Sequence, residues 1–417
     1  MRILIHGFNY APELVGIGRY TGELGSWLAS RGHAVTVLAA PPYYPEWRVA
    51  PEYRPQRWRR ERLRGVEVLR APLYVPGRVT GRGRVLHELS FGVSCLFWWA
   101  ELGRRPWDLI LAVCPPLQSG LLPSLLAGNE TPLVVHFQDL QLDVARELGI
   151  LRQPRLLAWL ERIERWLLRR ARAVTTISGA MAARIGAKGV EARRLHVLPN
   201  WADLEGITPG KRHNALRREL GMDSEVVVLY AGSMGEKQGL ETVLQAAALT
   251  RGQDNVRYLL AGEGAAKSRL TAQARKMGLK NLLFLPLQSN IRYPLLLAAG
   301  DIHLVAQKQQ AADLLMPSKL ANIMAAGRCF IATALPETEL GRITRESRAG
   351  VSVPPEAPKA LAEAILQLAA DVKTRNRMGR RARGYAEAQL SRDRILARWE
   401  ELFQGLVGRT GNERRIP

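Results

Sequence analysis

The stretch Ala311–Gly327, which reads AADLLMPSKLANIMAAG, decides how this chain is expected to fold. A short apolar strand precedes it and another follows it, so the segment predicts a strand, a loop, a helix and a second strand. Pro317 stands where a helix can begin, and the small residues Ala325 and Gly327 would let that helix pack closely on a sheet. Units of this kind build parallel sheets with right-handed connections.

The first turn of the predicted helix also carries groups that bind anions. Ser318 offers a hydroxyl group, and Lys319 offers an ammonium group directly after it. Unpaired amides and the helix dipole favour negative charge at a helix start, and a lysine is a point charge suited to phosphate. A solvated lysine beside an ordinary N-cap serine explains the same residues, so this stretch alone leaves both interpretations open.

The composition is that of a globular and strongly basic protein. The chain has 417 residues, enough for two domains, and its 47% hydrophobic content excludes a disordered polymer. The formal net charge of +22 favours an anionic partner, namely nucleic acid, a phospholipid surface or a phosphorylated substrate. A general habit of an arginine-rich genome would give the same charge. Three widely spaced cysteines form neither a metal nor a disulfide pattern, which fits a reducing compartment.

Targeting and membrane-spanning segments are not predicted. The N-terminal residues MRILIHGFNY are only briefly apolar, and they predict a first strand rather than a signal peptide. No run of about 20 apolar residues occurs, so no transmembrane helix is expected.

The first half of the chain opens with a strand, a glycine-containing loop and a helix. Gly16 and Gly18 lie just before the helix, where the backbone could approach a phosphate, although a simple turn uses glycines in the same way. A later strand, 132–137, leads into Asp139 at its carboxyl end, where open α/β sheets bind ligands. His136 lies near the end of the same strand, where a lone histidine is more often structural than catalytic.

A basic and aromatic segment interrupts this pattern between residues 43 and 84, and an apolar helix is predicted directly after it, over 86–100. Arginines beside an aromatic, apolar helix are typical of a helix in a membrane interface. The side chains expected to contact lipid are Leu96, Phe97, Trp98 and Trp99. Two other interpretations stay open: aromatic rings that stack on nucleic acid bases, and a core helix beside a solvated basic loop.

The second half repeats the pattern with a second lysine. A strand over 226–231 runs into the glycine-rich loop 232–239, in which Gly232, Ser233 and Lys237 are candidate phosphate contacts. The loop lacks the Gly-Lys-Ser/Thr ending of a Walker motif, so nucleotide hydrolysis of that type is not expected.

Lys237 and Lys319 are therefore predicted on two separate loops that follow strands of one sheet. Loops at the carboxyl edge of a sheet lie close together, so the two ammonium groups could meet a single diphosphate. Gly262, at the end of an intervening strand, is expected at the same edge.

The order of these elements resembles glycosyltransferase family 4 of the GT-B fold, over nearly the whole chain. The resemblance rests on two Rossmann-like halves, the N-terminal glycine loop, the Pro-Asn-Trp-Ala-Asp joint at 199–203, Gly232 with Lys237, and the small-residue helix before Gly327. The start, NYAPELVGIGRYTGELGSWLASRGHAVTVLAAPPYYP, and the MPSKL motif resemble a narrower group, the colanic acid glycosyltransferases called WcaI. That group is regarded as fucosyltransferases of exopolysaccharide assembly.

The resemblance implies a retaining, metal-independent transfer from a nucleotide sugar bound between two parallel-sheet domains that face each other across a cleft. The donor-binding residues implied are Gly16, Gly18, Gly232, Ser233, Lys237, Gly262, Asp313, Ser318, Lys319 and Asn322. The catalytic residues implied are His136, Asp139, Lys237 and Lys319. No cofactor and no metal are expected.

Several positions depart from the family pattern. Ser233 replaces the usual arginine after the first loop glycine, and Gln238 stands where a lysine usually precedes the next glycine. Neither glutamate of the family's Glu-seven residues-Glu motif is present: Asp313 lies one residue out of register, and Asn322 occupies the second position. The phosphate site does not depend on them, because it needs only cations and amides near the diphosphate.

The sequence thus predicts an α/β protein with three parts. Residues 1–203 form an acceptor- and membrane-facing Rossmann-like domain, 204–385 a nucleotide-sugar-binding Rossmann-like domain, and 386–417 a C-terminal helix that returns to the first domain, with a frayed tail. The predicted partners are a nucleotide-sugar donor, a lipid-diphosphate-linked saccharide acceptor and an anionic membrane surface, but not nucleic acid. The predicted location is cytoplasmic, peripheral at the inner face of the bacterial plasma membrane.

Two other functions stay open from the sequence. One is a nucleotide-sugar epimerase of the same fold, which would turn over the donor without an acceptor. The other is a non-catalytic basic scaffold on membrane or nucleic acid, whose anion binding would depend on salt but not on the nucleotide base.

Overall fold

The computed structural model describes residues 1–13, 16–77, 81–128, 130–147, 153–222, 224–289, 291–311 and 317–413. The chain forms two compact units: the first is Met1–Pro199 together with Leu396–Pro417, and the second is Asn200–Ile395. The last helix of the chain, from Leu396 onward, is therefore part of the first unit.

The first unit is built on one eight-stranded sheet. Its strands are β1 Arg2–His6, β2 Ala34–Ala39, β3 Arg59–Leu63, β4 Val66–Arg70, β5 Leu109–Cys114, β6 Leu133–Phe137, β7 Ala173–Thr176 and β8 Leu195–Val197. They lie in the order β3-β4-β2-β1-β5-β6-β7-β8, and every pairing is parallel except that of β3 with β4. The hairpin β3–β4 lies inside the basic segment. No strand was predicted there, because exposed arginines interrupt the apolar pattern in β3.

Helices cover both faces of this sheet. They are α1 Gly16–Ser30, α2 Gly81–Leu102, α3 Leu121–Leu126, α4 Gln141–Glu147, α5 Pro154–Arg170 and α6 Gly179–Ala187. Because connections between parallel strands are right-handed, α1 lies on one face, whereas α2, α3 and α5, which join strands that advance in the opposite direction, lie on the other.

Two histidines mark the two faces. His6 is in register with Ala112, and His136 is in register with the next residue, Val113, so their side chains project to opposite faces. The ring of His6 packs against Phe91 and Trp99 of α2, with ring centroids 6.0 Å and 6.3 Å away.

The second unit has a six-stranded parallel sheet. Its strands are β9 Val226–Ala231, β10 Val256–Ala261, β11 Leu282–Leu285, β12 Ile302–Val305, β13 Cys329–Thr333 and β14 Gly350–Val353, in the order β11-β10-β9-β12-β13-β14. The central strand β9, VVVLYA, is buried throughout, as expected of a strand covered on both faces. Its helices are α7 Ala215–Leu220, α8 Glu241–Leu249, α9 Lys267–Lys276, α10 Tyr293–Ala299, α11 Lys319–Ala325, α12 Glu339–Ser347, α13 Pro358–Ala370 and α14 Val372–Gln389.

The final helix, α15, spans Arg392–Glu413 and packs onto the first unit. Trp399, 2% exposed, lies edge-on to His136 with ring centroids 4.9 Å apart. Glu400 accepts a hydrogen bond from His33 at 2.8 Å, and Arg398 donates to the carbonyl of Val197 at 2.9 Å. Among the described residues, no helix combines the length and the apolar character needed to cross a membrane.

Candidate donor site and acceptor-side loops

The carboxyl edge of the second sheet has one topological switch point. From β9 the chain continues to β10 on one side, while β12 pairs with β9 on the other. Open α/β sheets bind ligands where two neighbouring strands send their connections in opposite directions. The loops that follow β9 and β12 leave the sheet at this point, and they carry the two lysines predicted from the sequence.

Lys319 is aimed into the end of β9. Its Nζ lies 3.6 Å from the ring centroid of Tyr230, within the range of a cation–π contact. The side chain as a whole is half-buried, but the Nζ atom is buried and has no hydrogen-bond partner among the described residues. Burial lowers the pKa of Lys319 to about 7. An anion that enters here would supply the acceptor that the ammonium group lacks.

Three glycines allow the loops after β9 and β10 to approach each other closely. Gly232 has φ +140°, and a Cβ atom there would lie 3.1 Å from Nζ of Lys319. A Cβ atom at Gly262, with φ +149°, would lie 1.9 Å from the carbonyl oxygen of Gly232, and one at Gly264 would lie 2.4 Å from that of Met234. At Gly262 and Gly264 the added atom would collide with the backbone, and at Gly232 the positive φ disfavours any side chain, so the loops after β9 and β10 need glycine at all three positions.

Lys237 lies in a short 3₁₀ turn, Glu236–Gln238, and is half-buried. Its carbonyl group accepts a hydrogen bond at 2.8 Å from the amide of Lys308, which follows β12. The loops that carry Lys237 and Lys319 are thus fastened to each other at the switch point.

The remaining predicted donor residues of this unit differ in their surroundings. Ser233 is exposed, and its carbonyl accepts a hydrogen bond from the hydroxyl of Tyr230. Ser318 is also exposed and makes no side-chain cap to α11. Asn322 donates to the hydroxyl of Tyr293 at 3.4 Å, while its Oδ1 is buried without a partner among the described residues. Asp313 lies outside the described residues.

In the first unit, Gly16 and Gly18 belong to the start of α1. Gly16 begins the helix with φ +62°, and a Cβ atom there would lie 3.4 Å from the ring of Tyr44. A Cβ atom at Gly18 would lie 2.3 Å from Oε2 of Glu13, so only glycine leaves room for this carboxylate.

Glu13 was not among the residues predicted from the sequence, although it holds this loop in place. The carboxylate is 6% exposed and accepts hydrogen bonds from the amides of Tyr43 and Tyr44, each at 3.1 Å, and from Nδ2 of Asn9 at 2.9 Å. Burial raises the pKa of Glu13 to about 7. The position of this acid between the first strand and the glycines could have marked it as part of the loop. Its partners Tyr43 and Tyr44 lie thirty residues further on, and no local pattern in the sequence connects them with Glu13.

Asp139 and His136 have very different settings. Asp139 is half-buried beyond the end of β6. Its negative charge acts on the hydroxyl of Tyr44, whose pKa is raised by burial and by the charges of Glu13 and Asp139. His136 is buried, its Nδ1 lies 2.9 Å from Oγ1 of Thr175, and its Nε2 lies 3.0 Å from Nε2 of Gln138. Burial lowers the pKa of His136 to about 3. These contacts favour a structural role, and the catalytic role of His136 stays a prediction.

The four predicted lipid contacts divide between two sides of α2. Leu96 and Phe97 are 54% and 58% exposed. The assignment of Trp98 is wrong: its side chain is 8% exposed, and its indole nitrogen donates to the carbonyl of Arg70 at 3.0 Å. Trp99 is half-buried with a buried indole nitrogen, and its ring faces His6. Helical geometry turns these last two rings toward the sheet.

Comparison with known proteins agrees with this architecture. Two family models match in order along the chain: glycosyl transferase 4-like domain over residues 15–201 and glycosyl transferases group 1 over residues 213–385. The putative colanic acid biosynthesis glycosyl transferase WcaI of Escherichia coli K12 is 39% identical over 97% of this chain and 100% of that protein.

Solved structures share the fold at low sequence identity. Sucrose-phosphate synthase from Thermosynechococcus elongatus superposes with a TM-score of 0.77 at 18% identity, over 98% of this chain and 99% of that one. Anabaena HepE in complex with UDP-glucose superposes with a TM-score of 0.72 at 17% identity, over 97% and 100%. Two matched families in sequence order and a full-length relative lead to one conclusion: this chain is a family 4 glycosyltransferase with the GT-B fold.

Proposed function

We propose that this enzyme transfers a sugar, with retention and without a metal, from a nucleotide sugar to a lipid-diphosphate-linked saccharide in exopolysaccharide assembly. The resemblance of its N-terminal segment to the WcaI group favours fucose from GDP-fucose as the donor. The observation that carries the proposal is the buried ammonium group of Lys319, which has no hydrogen-bond partner among the described residues and lies beside the glycine loops at the switch point of the second sheet.

The proposed chemistry follows from the charge that the reaction creates. When the sugar leaves, negative charge develops on the nucleoside diphosphate, and Lys319, Lys237 and the loop amides would stabilise it. The acceptor hydroxyl would attack on the face from which the diphosphate departs, and a departing phosphate oxygen would take its proton. Since no protein nucleophile is then required, the structural setting of His136 is compatible with this route.

Calorimetric titration with GDP and with UDP, in the presence of EDTA, tests the donor site. Lys319→Met removes the charge and keeps most of the apolar stem, and we expect it to weaken binding about ten- to a hundredfold, as for a charge-assisted hydrogen bond. Lys276→Met, on the exposed surface of α9, is the matched control and should bind like the wild type.

Other outcomes would point to other functions. Equal and weak binding of both nucleotides that disappears with salt and ignores Lys319→Met would favour a basic scaffold. Turnover of the nucleotide sugar to an isomer without any acceptor would favour an epimerase.

The proposal also places the first unit on an anionic membrane as a peripheral protein of the cytoplasmic face. The outer side of α2 exposes an apolar strip, here called the α2 strip: Val85, Leu86, Leu89, Val93, Leu96 and Phe97. The exposed ring of Trp58, in the basic segment, packs on Phe97 with centroids 4.9 Å apart. Exposed arginines in and beside the adjoining hairpin, among them Arg57, Arg62 and Arg64, supply charge that suits acidic lipids.

Vesicle sedimentation tests the lipid contact of the α2 strip. Leu96→Glu with Phe97→Glu should strongly weaken binding to vesicles that contain phosphatidylglycerol, because each change places a charge where apolar contact is expected. Val372→Glu, at a position of the second unit that is also 54% exposed, adds the same kind of charge and should leave binding intact. Unchanged sedimentation of the double variant would remove α2 from the membrane contact.

A further inference from the structure

A second exposed apolar stripe lies on α5, away from the segment that the sequence marked. Leu156, Trp159 and Trp166 are 40%, 58% and 36% exposed, and they recur at helical spacing along the outer side of the helix. A different side of the helix carries the buried residues Glu164, Leu167 and Leu168, through which α5 packs on the fold. We call the three exposed residues the α5 stripe.

Arginines line one edge of the α5 stripe. Arg155, Arg162 and Arg169 recur every seven residues, about two helical turns, and all three are exposed. Among the described residues, no ion pair joins any of these three guanidinium groups to an acid. Tryptophan and leucine beside unpaired arginines are the side chains that an interfacial helix presents to anionic lipid.

The α5 stripe and the α2 strip belong to the same face of the first sheet. The short helix α3 lies between them: a Cβ atom at Gly103, just after α2, would lie 3.5 Å from Leu126, and Arg170 of α5 donates to the carbonyl of Ser124 at 3.1 Å. Leu125 of α3 is 70% exposed. With neighbouring helix axes about 8–10 Å apart, the two apolar lines run roughly 20 Å from each other.

Exposed apolar side chains are concentrated on this face. Of the nineteen large apolar side chains that the described residues expose, ten lie on α2, α3 and α5. Soluble surfaces rarely gather so many on one side unless the side has a partner. We infer that the α5 stripe with its arginines is a second lipid contact, and that α2, α3 and α5 together form one broad face that docks on an anionic phospholipid bilayer.

The inference extends the lipid contact proposed for α2 but uses different residues, so either can fail alone. Trp159→Ala with Trp166→Ala should reduce partition onto phosphatidylglycerol-containing vesicles about tenfold while the α2 strip is intact. Combination with Leu96→Glu and Phe97→Glu should give the lowest partition of all. Leu249→Ala, an exposed position of the second unit, is the matched control and should change nothing.

The arginines have a test of their own. Arg155→Gln with Arg162→Gln should weaken binding to phosphatidylglycerol-containing vesicles and leave binding to pure phosphatidylcholine unchanged, since only the acidic lipid attracts the charge. Arg275→Gln with Lys276→Gln on α9 removes the same net charge elsewhere and should have little effect.

Three results would overturn the inference. Wild-type partition by the tryptophan variant, with unchanged thermal stability, would mean that α5 faces water. A dimer of the wild type in light scattering that the tryptophan variant loses would make α5 a contact between copies of the chain. Absence of vesicle binding by the wild type would remove both lipid contacts, whereas nucleotide binding in calorimetry would leave the transferase proposal standing.

Discussion

Lys319 is the residue whose environment says most about the proposed donor site. Its ammonium nitrogen is buried over the ring of Tyr230 and beside the backbone of Gly232, with no acceptor among the described residues. Desolvation without a counter-charge disfavours the charged form, which is why the pKa falls to about 7. A diphosphate would reverse this balance by pairing with the ammonium group.

Nucleotide affinity should therefore fall as the pH rises from about 7 to about 9. In the empty protein Lys319 loses its proton across this range, and an anion that prefers the ammonium form must restore that proton at a cost in binding free energy. Calorimetric Kd values for GDP at several pH values measure the effect. Lys319→Met should flatten the profile, and an equally steep profile in the variant would assign the proton to another group.

The stability of the enzyme without nucleotide should increase with pH, whereas the nucleotide affinity decreases, and both changes come from the proton of Lys319. An unfolded lysine keeps its proton up to a pH of about 10.4, above the folded pKa of about 7, so the unfolded state binds more protons between the two values. The Lys319 contribution to the free energy of unfolding therefore increases with pH in that window. Denaturant titrations should show this slope in the wild type and lose it in Lys319→Met.

At the scale of elements, the glycine loops after β9 and β10 set the shape of the proposed diphosphate site. Gly262→Ala would place a methyl group 1.9 Å from the carbonyl oxygen of Gly232 and force a backbone with φ +149° onto alanine. We expect lower thermal stability and loss of nucleotide binding, because the loops must separate. Gly252→Ala, with open space around the new methyl group, should keep both properties in the same thermal-shift and calorimetric measurements.

The order of strands and helices was predictable, because parallel strands that are buried on both faces appear in the sequence as continuous apolar runs. The unit from β12 through α11 to β13 follows the pattern of the opening stretch, and its lysine was expected near a phosphate site. The contact of Lys319 with Tyr230 was not predictable, since the residues lie 89 positions apart and meet only because β12 pairs with β9. Sequence spacing shows which strand ends carry charge, but not which strands become neighbours.

The aromatic residues of α2 show a second limit of prediction from the sequence, which concerns the side of a helix on which a residue lies. Phe97, Trp98 and Trp99 are consecutive and equally apolar, so composition alone could not assign them to different sides of the helix. Trp98 is held on the side that faces the sheet, because its indole nitrogen donates a hydrogen bond to the carbonyl of Arg70. The exposed stripe of α5 was not predicted, because arginines and glutamates alternate with its apolar residues along the sequence, and only burial separates the two sides of the helix.

At the scale of the whole molecule, the C-terminal helix α15 packs against the unit formed by the N-terminal half of the chain. Trp399 fills a buried position against His136 and Phe403, with ring centroids 4.9 Å and 5.5 Å away. Trp399→Ala should lower the free energy of unfolding of the first unit by about 3–5 kcal/mol, the usual result for a buried tryptophan. Trp58→Ala, at an exposed position, is the control.

Amide hydrogen exchange can locate that loss. Faster exchange in β1 and β6, with β9 and β12 unchanged, is expected for Trp399→Ala if the helix supports only the first unit. Equal acceleration in both sheets would contradict the division into two separately stabilised units.

The return of the last helix to the first unit also fixes an order of events during synthesis. A ribosome that adds about 5–20 residues per second releases the entire second unit, Asn200–Ile395, before the residues of α15 that complete the first. Many two-domain chains mature from the N-terminus, but here the first unit stays incomplete while the second folds, because His136 has no Trp399 beside it until α15 is made. The buried surface under Trp399 and Phe403 thus stays open for most of the synthesis of the chain, a period in which a chaperone can bind it.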